Sequence, residues 1–216
     1  TPRTSSAASD VYKRQIHGAM EDSVELDGNY LIVKDQRVRV ISGGEPGTIP
    51  WDALQADVVV DATGRFLTRE KLALHLESGA KRVFLTRNPK NEIDRYVIPG
   101  INESSISLSD KIISTTSSTT QVLALMVKML DEAFGLKRAM MTTVHAYTAD
   151  QPLADVAGAD LRRSRSAVEN IIPNTTQSPA LVEAIMPQYK GKIEGIAFNV
   201  PVPNGSCVDL TTELDR

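Results

Sequence analysis

The sequence has almost no cysteine, no long hydrophobic run and no surplus of basic residues. Cys207 is the only cysteine among the 216 residues, which excludes an intramolecular disulfide framework and a cysteine-rich zinc site. No apolar stretch approaches the ~18 residues that a transmembrane helix needs, and no apolar signal-peptide core is seen at the start. The formal net charge of −3 gives no electrostatic case for nucleic-acid binding. We therefore expect a cytoplasmic protein with no metal, whose partners include neither a membrane nor a nucleic acid.

The composition is that of an ordinary globular chain. Hydrophobic residues make up 41% of it and charged residues 24%, and its length corresponds to between one and two domains at ~150 residues per domain. Residues 1–15 are rich in Ser, Thr and Ala and show no amphipathic period. We expect a disordered or foreign leader there, and we predict the fold from the residues that follow.

Strand and helix patterns alternate in the first half of the remaining chain. Short alternating segments around Asp27-Gly28 predict a three-stranded meander with one solvated face. The apolar run 56–61 is typical of a strand buried on both faces of a parallel sheet. Helical spacing over 68–78 and a strand pattern over 82–86 then complete a βαβ unit.

The second half begins with a run of Ser and Thr residues, 114–120, in front of the most clearly periodic helix. Gly135 is expected to end this helix. A strand over 139–144 ends at His145, and an irregular loop, a helix and two strands follow, over 147–170, 178–186, 193–200 and 207–214. The fold class is therefore α/β. The residues of the helix predicted to face the core are Val122, Leu125, Met126, Met129, Leu130 and Ala133.

Three features carry the types of residue that chemistry needs. The Ser/Thr run lies where a strand meets a helix N-terminus, which favours a bound anion, although such residues also serve as a simple cap. His145 lies at the edge where α/β sheets place their sites, or it is a structural histidine. Arg162, Arg163 and Arg165 either bind a phosphate or line a solvated face or an interface. Composition and spacing predict no more than an α/β protein with an anion site.

Six segments, taken in order, resemble one family. They are similar to the phosphorylating glyceraldehyde-3-phosphate dehydrogenases and to their relatives, the erythrose-4-phosphate dehydrogenases. The resemblance runs from about residue 17 to the C-terminus. The segments are DVVVDATGRFLTRE (57–70), SGAKRVFLT (78–86), STTSSTTQ (114–121), MTTVHAYTADQ (141–151), DLRRSRSAVENIIPNTT (160–176) and VPVPNGSCVDLT (200–211).

The resemblance implies a partial Rossmann-type dinucleotide-binding domain over 16–117, followed by a partial α+β catalytic domain with a mixed sheet over 118–216. It implies NAD as cofactor, a phosphorylated aldehyde and inorganic phosphate as substrates, and a homotetramer when complete. No Gly-x-Gly-x-x-Gly follows a strand anywhere, although the family opens with such a unit. We therefore expect a chain truncated at both ends, with poor affinity for NAD.

The resemblance also assigns roles to individual residues. In the family a thiolate attacks the aldehyde, hydride passes to NAD, and phosphate releases the acyl group, while a histidine activates the thiol. Ser118 falls on the nucleophile position and His145 on the histidine. The implied substrate and phosphate contacts are Ser117, Thr119, Thr148, Asp150, Arg165, Thr176 and Asn199. The implied cofactor contacts are Thr63, Gly64 and Thr86.

The sequence departs from the family at several of these positions. Ser118 replaces the nucleophilic cysteine, and a helix terminus that lowers the pKa of a thiol does not ionise a serine hydroxyl. Asn199 replaces an arginine that holds phosphate, Gln177 replaces a glycine of the phosphate-binding turn, and Gln121 replaces an asparagine.

Two further interpretations therefore stay open beside the dehydrogenase. One is a non-catalytic paralogue that binds a nucleotide or a partner. The other is a hydrolase that uses Ser118 as nucleophile and His145 as base, although the sequence identifies no acidic partner for the histidine. Whether the cofactor is NAD or NADP, and the substrate a triose or a tetrose phosphate, also stays open.

Overall fold

The computed structural model describes residues 24–216, so the predicted leader over 1–15 lies outside the described residues. The chain divides into two compact units after Gly44. No helix in the described range is both long and apolar enough to cross a bilayer. Within the same range, no group of three or more His, Cys, Asp or Glu side chains is placed to hold a metal ion.

The first unit contains a three-stranded antiparallel sheet. Its strands are β1 (Val24–Asp27), β2 (Tyr30–Val33) and β3 (Gln36–Arg39), in that order. Gly28 adopts a φ of +57° in the predicted hairpin turn, a conformation that glycine reaches without steric cost. The expectation of a single solvated face is wrong, because β1 and β3 are exposed along their whole length and only β2 is partly covered.

A parallel sheet opens the second unit. Its strands are β4 (Val58–Asp61), β5 (Arg82–Leu85), β6 (Arg95–Tyr96) and β7 (Ile112–Ser114), in the order β4-β5-β7-β6. Helix α1 (Arg69–Glu77) connects β4 to β5 and begins after Thr68, whose side chain accepts a hydrogen bond from the Lys71 N–H. The predicted strand–helix–strand unit is confirmed. Its core consists of Leu72, Val83, Leu85, Ile93 and Ile112.

Strand β4 is buried on one face only. Val58 and Val60 are 51% and 62% exposed, whereas Val59 and Asp61, which alternate with them, are buried. The prediction that this run is covered on both faces is therefore wrong. Helix α1 lies on the face that carries Asp61, as the contact of His75 with Asp61 shows, and a single helix covers a single face.

A mixed sheet follows, built from β8 (Leu136–Ala146), β9 (Ile172–Asn174), β10 (Ile193–Val200) and β11 (Ser206–Leu214) in the order β11-β8-β10-β9. Strands β8 and β10 are parallel, and the outer pairs are antiparallel. Residues 147–171, all within the described range, form neither helix nor strand, as predicted. The core between this sheet and the helices α2 (Ser118–Phe134) and α3 (Ser178–Ile185) includes Leu123, Val127, Met141, Val182 and Tyr189.

Helix α2 has the predicted ends but docks through a different face. Ser117 caps its start, and Gly135, at a φ of +73°, ends it. The predicted core stripe is wrong, because Val122, Leu125 and Met129 are exposed. The buried residues are Thr119, Thr120, Leu123, Ala124 and Val127. Apolar residues surround most of the helix, so the hydrophobic period alone does not select a face.

Leu123 is fully buried between α2 and the mixed sheet. We expect Leu123→Ala to lower the free energy of unfolding by about 2–5 kcal/mol, because truncation leaves a cavity in a packed core. Met129→Ala is the matched control on the same helix, since Met129 is 68% exposed, and its effect should stay within about 0.5 kcal/mol. Urea unfolding of both variants measures the difference. A larger effect at Met129 would contradict the docking face described above.

Candidate active site

The site is built around the corner between β7 and α2. The backbone turns at Thr116, which has a φ of +62° and donates its N–H to the Ser114 hydroxyl at 2.9 Å. Ser117 then accepts a hydrogen bond from the Thr120 N–H at 3.2 Å, and α2 begins at Ser118. The predicted cap is thus confirmed. The remaining free N–H groups of the first turn make this corner suited to an anion.

A chain of hydroxyl groups joins this corner to the start of α3. Thr120 Oγ1 lies 2.8 Å from Ser117 Oγ and donates to Ser178 Oγ at 3.0 Å. Thr176 Oγ1 donates to the same serine oxygen at 3.2 Å. Thr120 and Ser178 are buried. Two predicted phosphate contacts, Ser117 and Thr176, are therefore parts of one hydrogen-bonded network.

His145, at the end of β8, has a hydroxyl partner on each ring nitrogen. Thr119 Oγ1 lies 2.9 Å from Nε2, and Ser206 Oγ lies 2.9 Å from Nδ1. The pairing of β8 with β11 sets His145 opposite Ser206. Burial lowers the pKa of His145 below its ordinary value, because a desolvated imidazole resists gaining charge. At neutral pH the ring is therefore a neutral acceptor and donor.

Ser118 is not the residue that contacts this imidazole. It is exposed, and no hydrogen bond from its hydroxyl to any residue of 24–216 is found, whereas its neighbour Thr119 is buried against His145. Successive residues of a helix point about 100° apart, so the two side chains leave the corner in different directions. Cys207 is exposed on β11, and since it follows Ser206 in the strand it lies on the sheet face opposite to His145.

The predicted residues of the long loop are held mainly within the loop. The Thr148 N–H donates to Gln151 Oε1 at 2.7 Å, and Arg165 forms an ion pair with Asp155 at 2.9 Å. Among the described residues, the Arg165 side chain forms this ion pair and no hydrogen bond to the Ser/Thr corner is found. Asn199, on β10, lies opposite His145 in the register of the sheet. It is buried and accepts a hydrogen bond from the Asn174 amide at 3.2 Å.

The three predicted cofactor residues lie together at the carboxyl ends of β4 and β5. Thr63 donates both its N–H and its hydroxyl to Asp61 Oδ1, at 2.9 and 2.7 Å. The Thr86 hydroxyl donates to the Asp61 carbonyl at 3.3 Å. Gly64 has a φ of +68°. In open α/β sheets this edge is where ligands bind.

Sequence reasoning missed Arg87, which connects the two halves of the site. Its guanidinium lies so close to Gly64 that an added Cβ would be 2.7 Å from Nη1, and it forms an ion pair with Asp150 at 3.3 Å. The signal in the sequence is its place directly after Thr86, at the carboxyl end of a strand. Ser206 was also missed, and for it no sequence signal exists, since only the register of β8 with β11 sets it beside His145.

The environment of His145 predicts how it titrates. We expect NMR to give a pKa below the ordinary value of ~6.5. A histidine with a lowered pKa binds its proton more readily in the unfolded chain, so the free energy of unfolding should fall as pH decreases below ~6.5. Above that value this contribution is complete and constant. Urea unfolding across this pH range measures the effect. The His145→Gln variant is the control and should lose this part of the pH dependence. A pKa at or above 6.5 would contradict the burial of the ring.

Two family models match the chain, one in each half. A family model described as glyceraldehyde 3-phosphate dehydrogenase, C-terminal domain, matches residues 117–216. A second model, described as glyceraldehyde 3-phosphate dehydrogenase, NAD binding domain, matches residues 4–69. These matches confirm the predicted fold class, a partial Rossmann-type domain followed by an α+β domain with a mixed sheet. They also support NAD as the cofactor of the family.

Individual relatives carry the same description. The glyceraldehyde-3-phosphate dehydrogenase of Geobacillus stearothermophilus is 43% identical over 202 residues, which cover 93% of this chain and 60% of the relative. Glyceraldehyde-3-phosphate dehydrogenase 2 of Bacillus subtilis is 44% identical over 200 residues, 92% of this chain and 58% of the relative. The chain thus spans about three fifths of these relatives. With both domain models matched in order, the chain belongs to the glyceraldehyde-3-phosphate dehydrogenase family.

Proposed function

We propose that the chain is part of an NAD-dependent oxidoreductase that oxidises a phosphorylated aldehyde in the presence of inorganic phosphate. The observation that carries this proposal is the docking of the first turn of α2 on His145. It joins a capped helix N-terminus, suited to an anion, to an imidazole that is neutral at pH 7. We further propose the cytoplasm as its location and, for the complete protein, a homotetramer.

Within this proposal the two domains divide the work. Residues 16–117 form part of the NAD-binding domain, in which Thr63, Gly64 and Thr86 would hold the dinucleotide. These residues fit such a group, because Gly64 has no side chain to block its turn and Arg87 brings a positive charge against it. When bound, NAD supplies the acceptor for hydride. Residues 118–216 form part of the catalytic domain. The proposed substrate and phosphate contacts lie in this domain, apart from Ser117 at the cap before α2. They are Ser117, Thr119, Thr148, Asp150, Arg165, Thr176 and Asn199.

The proposed catalytic residues are Ser118 and His145. Their reactivity is limited because position 118 carries a hydroxyl oxygen in place of a thiol sulfur. A thiol at a helix N-terminus ionises before it attacks, but a hydroxyl must give up its proton during the attack. His145 would have to accept that proton, and its Nε2 is already hydrogen-bonded to Thr119. The hydroxyl also forms an oxygen ester instead of a thioester. We therefore expect turnover by the chain as it stands to be weak.

A non-catalytic paralogue that binds a nucleotide is the second candidate. It is favoured by the exposed Ser118 and by the two hydroxyl partners that occupy His145. Calorimetry with NAD together with an assay of NADH formation distinguishes it, since a nucleotide-binding paralogue must show heat of binding without NADH formation. The hydrolase interpretation is not favoured, because the ring nitrogen that a carboxylate would orient is bonded to Ser206.

Restoring sulfur at position 118 tests the catalytic assignment. In a Cys207→Ser background, we expect the thiol of Ser118→Cys to have a pKa of about 7 or lower instead of ~8.5, because the N-terminus of α2 stabilises a thiolate. Iodoacetamide labelling as a function of pH measures this shift. With NAD, phosphate and either glyceraldehyde 3-phosphate or erythrose 4-phosphate, the variant should form NADH faster than the unchanged chain.

The controls separate a site effect from a general one. Cys207, an exposed thiol on β11, provides the reference labelling rate in the unchanged chain. Ser118→Ala in the same background should show neither labelling nor NADH formation. A thiol at position 118 that labels no faster than Cys207 and gives no NADH would contradict the assignment of this corner as the nucleophile site.

A further inference from the structure

A chain of hydrogen bonds runs from Trp51 through α1 to β4. Trp51 Nε1 donates to His75 Nδ1 at 3.0 Å, and His75 Nε2 lies 3.4 Å from Asp61 Oδ2. An indole N–H only donates, so Nδ1 is an acceptor and carries no proton. The imidazole is therefore neutral, with its proton on Nε2, from where it is donated to Asp61. One tryptophan thus sets the tautomer of a buried histidine.

Asp61 extends the chain into the turn that follows β4. While Oδ2 faces His75, Oδ1 accepts both the N–H and the hydroxyl of Thr63, and Thr63 Oγ1 accepts the Arg65 N–H at 3.2 Å. Asp61 is 2% exposed. Its burial raises the pKa, but the hydrogen bonds from His75 and Thr63 outweigh this and hold the pKa below its ordinary value. The carboxylate thus stays ionised because its neighbours donate to it.

We propose that His75 is a positioning residue for the Thr63–Gly64 turn and that it acts through Asp61. A buried carboxylate that loses a donor either takes up a proton or moves toward solvent. In both cases Thr63 would lose its charged acceptor, and Gly64 would lose the anchor that holds its left-handed conformation. The inference rests on the proposed function in one respect, namely that this turn receives the dinucleotide.

The test compares His75→Leu with His75→Gln. Leucine removes the donor to Asp61, whereas the glutamine amide reaches about as far as Nε2 and keeps one. We expect the amide hydrogens of Thr63 and Arg65, which both donate within this chain, to exchange roughly tenfold faster in the leucine variant, the size of effect expected for one charge-assisted hydrogen bond. The affinity for NAD should fall by a similar factor, and glutamine should restore most of both. Trp51 is the only tryptophan, so its fluorescence reports the loss of its partner directly.

Two controls keep the outcome decisive. Leu72→Ala truncates another fully buried side chain of α1, so it lowers overall stability without touching the hydrogen-bond chain. In the Leu72→Ala variant, the exchange rate of the Thr63 amide relative to that of the β5 amides should stay unchanged. If the His75→Leu variant does not fold, Trp51→Phe replaces it in the test, because it removes the indole N–H that donates to His75. We expect a smaller acceleration of amide exchange at Thr63 in this variant.

Equal acceleration in Leu72→Ala, or a glutamine variant as fast as leucine, would overturn the positioning role. If the unchanged chain binds no NAD, the proposed function of the turn fails. The exchange measurements still decide the role of His75 in that case.

Discussion

The hydrogen bond between Thr119 Oγ1 and His145 Nε2 joins the first turn of α2 to the end of β8. The rest of the candidate site depends on this contact. It sets the free N–H groups of the helix beside an imidazole, and a separate hydroxyl chain through Thr120 and Ser178 joins the same helix turn to α3. Because Leu123 and Val127 continue the docked face, hydrophobic burial along the helix holds the polar end in place.

The same contact explains why the proposed chemistry depends on whether the side chain at position 118 carries oxygen or sulfur. The neutral imidazole has both nitrogens hydrogen-bonded to residues other than Ser118, and it does not provide the positive charge that stabilises an anion. A thiol at position 118 would need less help, because the helix terminus alone favours its ionised form. We therefore expect oxygen in place of sulfur at position 118 to remove the main advantage of the proposed nucleophile, which is ionisation at the helix terminus.

Local signals predicted much of the structure. The Ser/Thr run predicted the cap before α2, and Gly135 predicted the end of the helix, since both features depend on a few neighbouring residues. The buried face of α2 was not predictable, because its apolar residues nearly surround it and only the partner sheet selects Leu123 and Val127. The exposure of Val60 on β4 has the same origin, since a strand sequence does not show how many helices cover it.

The sequence alone could not predict the contacts that depend on strand register or on long side chains. Ser206 reaches His145 because β11 pairs with β8 across a separation of 61 residues, and Arg87 meets Asp150 across 63. The family resemblance identified Ser118 and His145 as positions of interest. It did not indicate that Thr119 would take the place beside the imidazole.

Titration of inorganic phosphate into the ¹⁵N-labelled chain tests the central claim most directly. If the corner between β7 and α2 is an anion site joined to His145, the largest shifts should fall on the backbone amides of 117–120, with smaller ones at Thr176 and His145. Shifts confined to Arg162, Arg163 and Arg165, with the corner unchanged, would contradict it.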